Sequence, residues 1–112
     1  MPARINFVEL PARGTAPMKS FYSSAFGFSM TDFGPTYACT LSGDVDLGIQ
    51  GDPGEATRAP LPVIQVENLE VALAAVKRAG GVICKPTFSF PGGRRFHFTD
   101  PAGNELAAMQ AD

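Results

Sequence analysis

The sequence predicts an α+β fold made of two βαβββ modules, and three observations support it. The order strand, helix, strand, strand, strand occurs twice, with the second copy beginning roughly fifty residues after the first. Each copy contains one segment whose apolar residues follow helical spacing. Neither copy is long enough to bury both faces of its sheet and its helix alone. We therefore expect the modules to form a curled mixed sheet around a shared cavity.

The first module is predicted within residues 1–50. Residues 4–10 are rich in β-branched and apolar side chains and stop at Pro11, which is typical of a strand. Thr15 is a suitable helix cap, and Gly27 supplies the left-handed residue that often ends a helix. The apolar face of this helix consists of Met18, Phe21, Tyr22 and Ala25. Short segments at residues 28–33, 37–41 and 45–49 then predict an antiparallel meander.

The second module is predicted within residues 61–112, after a linker at residues 51–60 that contains turn formers and no periodic apolar residue. Its elements are a strand at residues 61–66, a helix that begins after Asn68, and strands at residues 82–90, 94–99 and 105–109. A turn at residues 100–104 joins the last two strands. We interpret residues 1–112 as a single domain.

Composition and charge exclude several classes of partner. Nine basic and eleven acidic side chains give a net charge of −2, and no basic stripe occurs, so nucleic acid is not an expected partner. No stretch approaches the ~20 apolar residues of a membrane span, and the first residues lack the pattern of a secretion signal. We expect a soluble, cytoplasmic protein without a membrane partner. Cys39 and Cys84 fall in predicted strands, which predicts reduced core residues.

Two motifs give the sequence a family resemblance. Leu-Pro-Ala at residues 10–12 precedes Ser-Phe-Tyr-Ser-Ser-Ala-Phe-Gly at residues 20–27, and Phe-Thr-Asp-Pro-Ala-Gly-Asn occupies residues 98–104. With the duplication, they resemble the vicinal oxygen chelate superfamily, which comprises glyoxalases, bleomycin-resistance proteins and ring-cleaving dioxygenases. The resemblance covers the whole chain. It implies a cavity between the modules, a divalent metal that chelates two substrate oxygens in the enzymes, and a homodimer.

The resemblance places the family's metal ligands at positions that lack donor atoms in this chain. Three of them fall on Phe7, Leu61 and Ala107, and the fourth falls near Gly48, where Asp46 is the only nearby acid. Zinc, iron and manganese need several oxygen, nitrogen or sulfur donors. We therefore predict no metal and no other cofactor. The alternative is a divalent metal held by a displaced set, namely His97 and Glu9 with Glu105 or Asp46.

Strand parity predicts which polar side chains line the cavity. If residues 100–104 form a turn, position 97 lies opposite 107 and position 95 opposite 109, all on one face. By the same parity, Glu9 shares a face with Phe7, and Gln65 shares one with Leu61. A histidine near a carboxylate can act as a general base or acid near neutral pH, so His97 and Glu9 are the candidate catalytic residues. The candidate ligand-binding residues are Phe7, Glu9, Tyr37, Leu61, Gln65, Arg95, His97, Ala107 and Met109.

Each of these polar residues also has a structural alternative. His97 can fill a core position with a hydrogen-bonded neighbour, and Glu9 can reach solvent at a strand end beside Pro11. Arg94 and Arg95 can anchor an anionic ligand or form a solvated strand end.

The predicted function is metal-independent binding of a small molecule. An apolar cavity with a few polar groups suits a protein that sequesters or senses an aromatic or amphipathic ligand. The alternative is an enzyme, either a glyoxalase-type lyase or isomerase or a dioxygenase-like protein. It would act through a displaced metal or through acid–base catalysis by His97 and Glu9.

Overall fold

The computed structural model describes residues 3–112. Its elements, in chain order, are β1 (Arg4–Pro11), α1 (Ala16–Phe26), β2 (Thr31–Asp32), β3 (Tyr37–Cys39), β4 (Asp46–Gln50), β5 (Leu61–Gln65), α2 (Leu69–Arg78), β6 (Val82–Phe90), β7 (Gly93–Thr99) and β8 (Glu105–Ala111). This order is strand, helix and three strands, twice over. The prediction of an α+β fold with two βαβββ modules is confirmed. No helix among residues 3–112 has the length and apolar character needed to cross a membrane.

The described chain divides into two compact units. The first unit contains Phe7–Leu61, and its strands lie in the order β2-β3-β4-β1. The second unit contains residues 3–6 and Pro62–Asp112, with β5–β8 in the order β5-β8-β7-β6. In each unit one pair of strands is parallel, β1 with β4 and β5 with β8, and the others are antiparallel. Residues 51–60 carry no helix or strand. The single-domain interpretation stays a prediction.

The core of the second unit lies between α2 and one face of its sheet. Phe96 and Leu69 are completely buried there and pack with Val66 and Ala108. Further apolar side chains of α2 and the strands border this cluster, namely Ile64, Ala72, Leu73, Val76, Ile83 and Phe98. Leu69, Ala72, Leu73 and Val76 follow the helical spacing of the second module, so the apolar face of α2 is the face that packs. Because strand residues alternate between faces, the neighbours of Phe96 on β7 project from the opposite side of the sheet.

Helix α1 leaves much of its apolar face exposed. No residue of α1 is buried, and Phe21 and Phe26 are 56% and 65% exposed. The aromatic side chains contact one another instead: the Tyr22 ring centroid lies 5.0 Å from that of Phe21 and 6.1 Å from that of Phe28. The apolar face predicted for α1 is present but is only partly covered. Helical spacing shows which side chains share a face, but not whether another element covers it.

The strand predicted at residues 28–33 is reduced to Thr31–Asp32. The end of α1 explains this difference. Gly27 adopts a left-handed φ of 72° and donates its backbone N–H to the Ser23 carbonyl, and the Phe28 N–H is donated to the Tyr22 carbonyl. These bonds hold residues 27 and 28 to the helix, so the chain reaches the sheet only at Thr31.

One of the two cysteine predictions is wrong. Both cysteines are free, and Cys39 is buried as expected, but Cys84 is exposed. The pairing of β6 with β7 shifts register on both sides of Lys85, between Ile83 and Lys85 and between Lys85 and Phe88. Burial nevertheless alternates regularly from Val82 to Pro86, and Cys84 lies on the exposed side of this segment. No further strand of the described chain covers β6, because it is the edge strand of its unit.

The two helix caps provide a matched test of stability. The Asn68 side chain accepts a hydrogen bond from the Val71 N–H at 3.0 Å, whereas Thr15 makes no side-chain bond at the start of α1. Asn68→Ala should therefore lower the free energy of unfolding by about 1 kcal/mol, because one helix N–H loses its partner. Thr15→Ala should change it by less than about 0.5 kcal/mol. Urea unfolding measures both, and equal losses would contradict the assignment of the caps.

Candidate ligand-binding site

Strand β7 places His97 on the sheet face that points away from α2. His97 pairs with Ala107 of β8, and Arg95 pairs with Met109, so the predicted register is confirmed. On the parallel neighbour β5, Gln65 pairs with Met109. Because side chains alternate along each strand, one side of the sheet carries a shared set of residues. We call this set the His97 face: Gln65, Arg95, His97, Glu105, Ala107 and Met109.

His97 is held by a carboxylate on the neighbouring strand. Its side chain is 2% exposed, and its Nδ1 lies 2.7 Å from Oε2 of Glu105. A carboxylate only accepts hydrogen bonds, so the short contact assigns the ring proton to Nδ1, which donates to Glu105. The other ring nitrogen, Nε2, is then an acceptor. It is buried and has no hydrogen-bond partner among residues 3–112.

The surroundings of His97 favour its neutral form. Burial is the main cause that lowers its pKa, and the positive charges of Arg95 and Lys85 lower the pKa further. The hydrogen bond and the charge of Glu105 act in the opposite direction, but the net shift is downward. A neutral ring with its proton on Nδ1 has a lone pair on Nε2 near neutral pH. The sequence supports two interpretations of His97, a core residue with a hydrogen-bonded neighbour and a general base. They are compatible, because Nδ1 bonds to Glu105 while Nε2 keeps its lone pair.

The Phe88 ring on β6 lies close to His97 and to two positively charged side chains. The Phe88 ring centroid lies 5.8 Å from the His97 ring, 5.2 Å from Cζ of Arg95 and 4.6 Å from Nζ of Lys85. Cζ of Arg95 is also 5.5 Å from the Phe90 centroid. These are cation–π distances, and two aromatic rings thus hold the Arg95 guanidinium. Phe88, Arg95 and Lys85 are partly exposed, so they give the region an edge that solvent reaches.

Two amides extend the polar part of the His97 face. Asn6 donates from Nδ2 to Oε1 of Gln65 at 3.5 Å and contacts Sδ of Met109 at 3.9 Å. The Asn6 Oδ1 is buried and has no hydrogen-bond partner among the described residues. Sequence reasoning did not assign Asn6 to the site, and it grouped Glu105 with His97 only as part of a displaced metal set, not as a hydrogen-bonded pair. Strand parity was the available signal for Glu105, because it shares the parity of Ala107.

The candidate Glu9 lies in the first unit with another candidate, Tyr37. Glu9 is 2% exposed, and its Oε1 accepts a hydrogen bond from the Tyr37 hydroxyl at 2.8 Å. Its expected alternative, a carboxylate at a solvated strand end, is wrong because the side chain is buried. Glu9 pairs with Gly48 on β4. A Cβ built at Gly48 would collide with the Phe7 ring and would lie 2.7 Å from the Tyr37 hydroxyl oxygen.

The four positions given by the family resemblance do not fit a metal. The Phe7 ring fills the space beside Gly48, and the side chains of Leu61 and Ala107 are fully buried hydrocarbon. Asp46 is engaged elsewhere: its carboxylate accepts bonds from the Thr40 hydroxyl and the Ser42 N–H, each at 2.7 Å. Among residues 3–112, no group of three His, Cys, Asp or Glu side chains is arranged to hold a metal ion.

The two neighbouring arginines point to different sides of the sheet. Arg94 contacts α2, where its Nη1 lies 2.6 Å from Oε2 of Glu70. Arg95 belongs to the His97 face. The alternative of a solvated strand end therefore applies to Arg94, which forms an exposed ion pair, and Arg95 is the arginine that borders the candidate site.

The first unit also has a surface cleft of about 460 Å³. It is bordered mainly by apolar side chains, including Val8, Phe28, Leu41, Val45 and Leu47. Its one acidic side chain is Asp46, whose oxygens already accept several hydrogen bonds. Apart from Asp46, which the sequence offered for a displaced metal site, the residues that border this cleft are not among the predicted site residues.

Comparison with known proteins identifies the family. A family model for the Glyoxalase/Bleomycin resistance protein/Dioxygenase superfamily matches residues 4–108. The chain belongs to this superfamily. No curated protein matches this superfamily member in sequence.

Solved structures share the fold of this superfamily member. A superfamily member from Vibrio splendidus 12B01 is 19% identical with a TM-score of 0.72, and the match covers 97% of this chain and 99% of that one. Methylmalonyl-CoA epimerase from Mycobacterium tuberculosis is 12% identical with a TM-score of 0.68, over 96% and 87% of the two chains. The Mn(II)-bound glyoxalase from Novosphingobium aromaticivorans is 15% identical with a TM-score of 0.70, over 97% and 40%.

The last of these structures corrects the prediction that the protein has no cofactor. A glyoxalase with the same fold binds Mn(II), so a cofactor-free state does not follow from membership of the superfamily. The lack of donor atoms at Phe7, Leu61 and Ala107 describes those positions alone. It does not establish that the protein works without a metal.

His97 should make the stability of this superfamily member depend on pH. Its pKa is lowered in the folded protein, so between the unfolded value of about 6.5 and the folded value only the unfolded chain binds a proton. The free energy of unfolding should therefore fall as the pH drops below about 6.5, by at most about 1.4 kcal/mol per pH unit. His97→Gln should remove this slope, because the protein has no other histidine. Urea unfolding from pH 7.5 to 5.5 measures it, and an unchanged slope in the variant would contradict the assignment.

Proposed function

We propose that the protein binds a small aromatic or amphipathic molecule that carries a negative charge, and that it sequesters or senses this molecule. The proposed site is the His97 face with Phe88. The observation that carries the proposal is the buried acceptor Nε2 of His97, which has no partner among the described residues and lies next to an aromatic ring and two cations.

The charges around Phe88 support an anionic ligand. Arg95 and Lys85 bring two positive charges to this ring, whereas Glu105 brings one negative charge to His97. A carboxylate can accept two parallel hydrogen bonds from a guanidinium, which gives both affinity and orientation. The partly exposed Phe88 ring suits the remainder of an aromatic molecule. A few polar groups in an apolar setting are typical of small-molecule sites.

Titration calorimetry with benzoate and 2-naphthoate tests this proposal. Arg95→Gln should weaken binding by about tenfold or more, since a hydrogen bond to a charged group contributes about 1.5–3 kcal/mol. Arg94→Gln is the matched control, because it removes one positive charge from the adjacent residue on the other side of the sheet. It should leave the affinity within about twofold. No binding by either acid, or equal losses in both variants, would contradict the proposed site.

A second candidate function is acid–base catalysis, and the 2.7 Å contact between His97 and Glu105 favours it. In such a reaction Nε2 takes a proton from a substrate carbon next to a carbonyl, and the electron pair stays on the substrate as an enolate. The resulting imidazolium is stabilised by Glu105 and returns the proton. This is isomerase or lyase chemistry. The catalytic role predicted for Glu9 stays a prediction, and here Tyr37 holds that carboxylate.

Exchange of substrate protons tests the catalytic candidate. Short 2-oxo acids incubated with the protein in D2O should lose their C3–H signals in NMR spectra faster than without it. His97→Phe should return the rate to the background, and Glu105→Gln should lower it by about 10²-fold or more if the whole general-base contribution is lost. Thr87→Ala, at an exposed position on β6, is the control for a surface change. Exchange that survives in His97→Phe would contradict this role.

The oligomeric state and the location remain parts of the proposal. The family resemblance favours a homodimer, and composition favours the cytoplasm. Light scattering should give twice the chain mass of 11.8 kDa. A particle of one chain mass would contradict the homodimer.

A further inference from the structure

The hydrogen bond between His97 and Glu105 limits what a ligand can present to this site. Oε2 of Glu105 lies 2.7 Å from Nδ1 of His97, and a carboxylate offers no proton. The proton of the neutral ring therefore lies on Nδ1. Nε2 can only accept, and a ligand atom that also only accepts, such as an ether or carboxylate oxygen, would be repelled.

The burial of Nε2 makes this restriction energetically important. His97 is 2% exposed, and Nε2 has no hydrogen-bond partner among the described residues. A buried acceptor without a donor is costly, so a ligand hydroxyl that donates to it restores a lost bond. Protonation would make Nε2 a donor, but burial and the charges of Arg95 and Lys85 oppose it, while Glu105 favours it.

Arg95 lies close enough to Phe88 to bind a second group of a ligand that contacts His97. One aromatic ring, Phe88, borders both the His97 ring at 5.8 Å and the Arg95 guanidinium at 5.2 Å. His97 and Arg95 are two residues apart on one strand, so both side chains project from the same face beside Phe88. A ligand ring packed on Phe88 could thus direct one substituent to each residue.

We propose that the ligand is a hydroxyaryl carboxylate, whose hydroxyl group donates to Nε2 of His97 and whose carboxylate binds Arg95. This inference rests on the proposed function, and it adds the requirement for a hydrogen-bond donor. Glu105 is a positioning residue, because it acts through the proton that it holds on Nδ1.

Pairs of related ligands distinguish the effect of the hydrogen-bond donor on affinity from the effects of ligand size and charge. The panel consists of 3- and 4-hydroxybenzoate, the corresponding methoxybenzoates, and 4-hydroxybenzamide, which keeps the hydroxyl group and lacks the charge. At least one hydroxybenzoate should bind about ten- to hundredfold more tightly than its methoxy counterpart. The amide should bind about tenfold or more weakly than 4-hydroxybenzoate if that isomer is the one bound. Titration calorimetry at neutral pH measures all five.

Two variants test whether His97 causes the discrimination. His97→Phe keeps a ring and removes the acceptor, so the preference for hydroxyl over methoxy should disappear. Glu105→Gln alters a side chain that is 38% exposed and leaves the buried ring in place. It should reduce the preference, because a glutamine can also donate to Nδ1 and move the proton to Nε2. Circular dichroism establishes that each variant is folded.

The possible failures are distinguishable. If hydroxy and methoxy acids bind equally well, the donor requirement is overturned, while the proposed function stands. If no aromatic acid binds, the proposed function fails and this inference fails with it. If the preference persists in folded His97→Phe and Glu105→Gln, another residue supplies the acceptor and the role of His97 is refuted.

Discussion

Replacing Phe96 by alanine is expected to lower the free energy of unfolding by about 3–5 kcal/mol. Phe96 is completely buried and packs between β7, β8 and α2 against Leu69, Val66 and Ala108. Removing the ring loses its burial and leaves a cavity that the sheet and the helix can only partly close. This is the largest stability effect that we expect from a single side chain.

An exposed phenylalanine provides the control for this substitution. Phe26→Ala removes the same atoms from a side chain that is 65% exposed on α1, so the free energy of unfolding should change by about 0.5 kcal/mol or less. Urea unfolding followed by circular dichroism compares the two variants. A loss below about 1 kcal/mol for Phe96→Ala would mean that the second unit is not built around this ring.

Adding a single methyl group at Gly93 is expected to cost about 1–3 kcal/mol or more. Gly93 begins β7 and pairs with Ala111 of β8. A Cβ at this position would collide with the Gln110 carbonyl oxygen and would lie 3.2 Å from Cα of Ala111. These are backbone atoms, so relief requires the two strands to move apart. Alanine otherwise restricts the unfolded chain more than glycine does, and a loss of stability therefore reports the clash.

Gly54→Ala is the matched control for Gly93→Ala. The nearest atom to a Cβ at Gly54 is Oδ1 of Asp52 at 3.4 Å, an ordinary contact in an exposed turn. This variant should unfold within about 0.5 kcal/mol of the parent protein. Equal stability of Gly93→Ala and Gly54→Ala would contradict the close pairing of β7 with β8.

The register of the His97 face could be predicted from sequence because a short turn fixes it. Asp100 accepts hydrogen bonds from the backbone N–H groups of Ala102 and Asn104, each at 2.9 Å, and these bonds close the loop between β7 and β8. Once such a turn is known, alternation places His97 opposite Ala107 without further information. The same local logic predicted α2, whose cap and apolar face are both present.

Contacts between segments that are distant in the chain could not be predicted from the sequence. Glu105 has the same strand parity as Ala107, but several residues share that face, and only the structure shows which of them touches His97. Asn6 reaches Gln65 across 59 positions of the chain, a distance over which no local pattern operates. Cys84 lies on the exposed side of β6, which is an edge strand, and the exposed rings of α1 follow from the lack of a covering element in the first unit.

We expect His97 to be neutral at neutral pH, with its proton on Nδ1 and an accepting Nε2. Nitrogen NMR of protein labelled with ¹⁵N-histidine tests it directly, since the single histidine gives one pair of ring signals. We predict a protonated Nδ1 and an unprotonated Nε2 in the parent protein, and a change of both signals in Glu105→Gln. Two protonated nitrogens, or a proton on Nε2 alone, would show that Glu105 does not hold the proton of a neutral His97 on Nδ1.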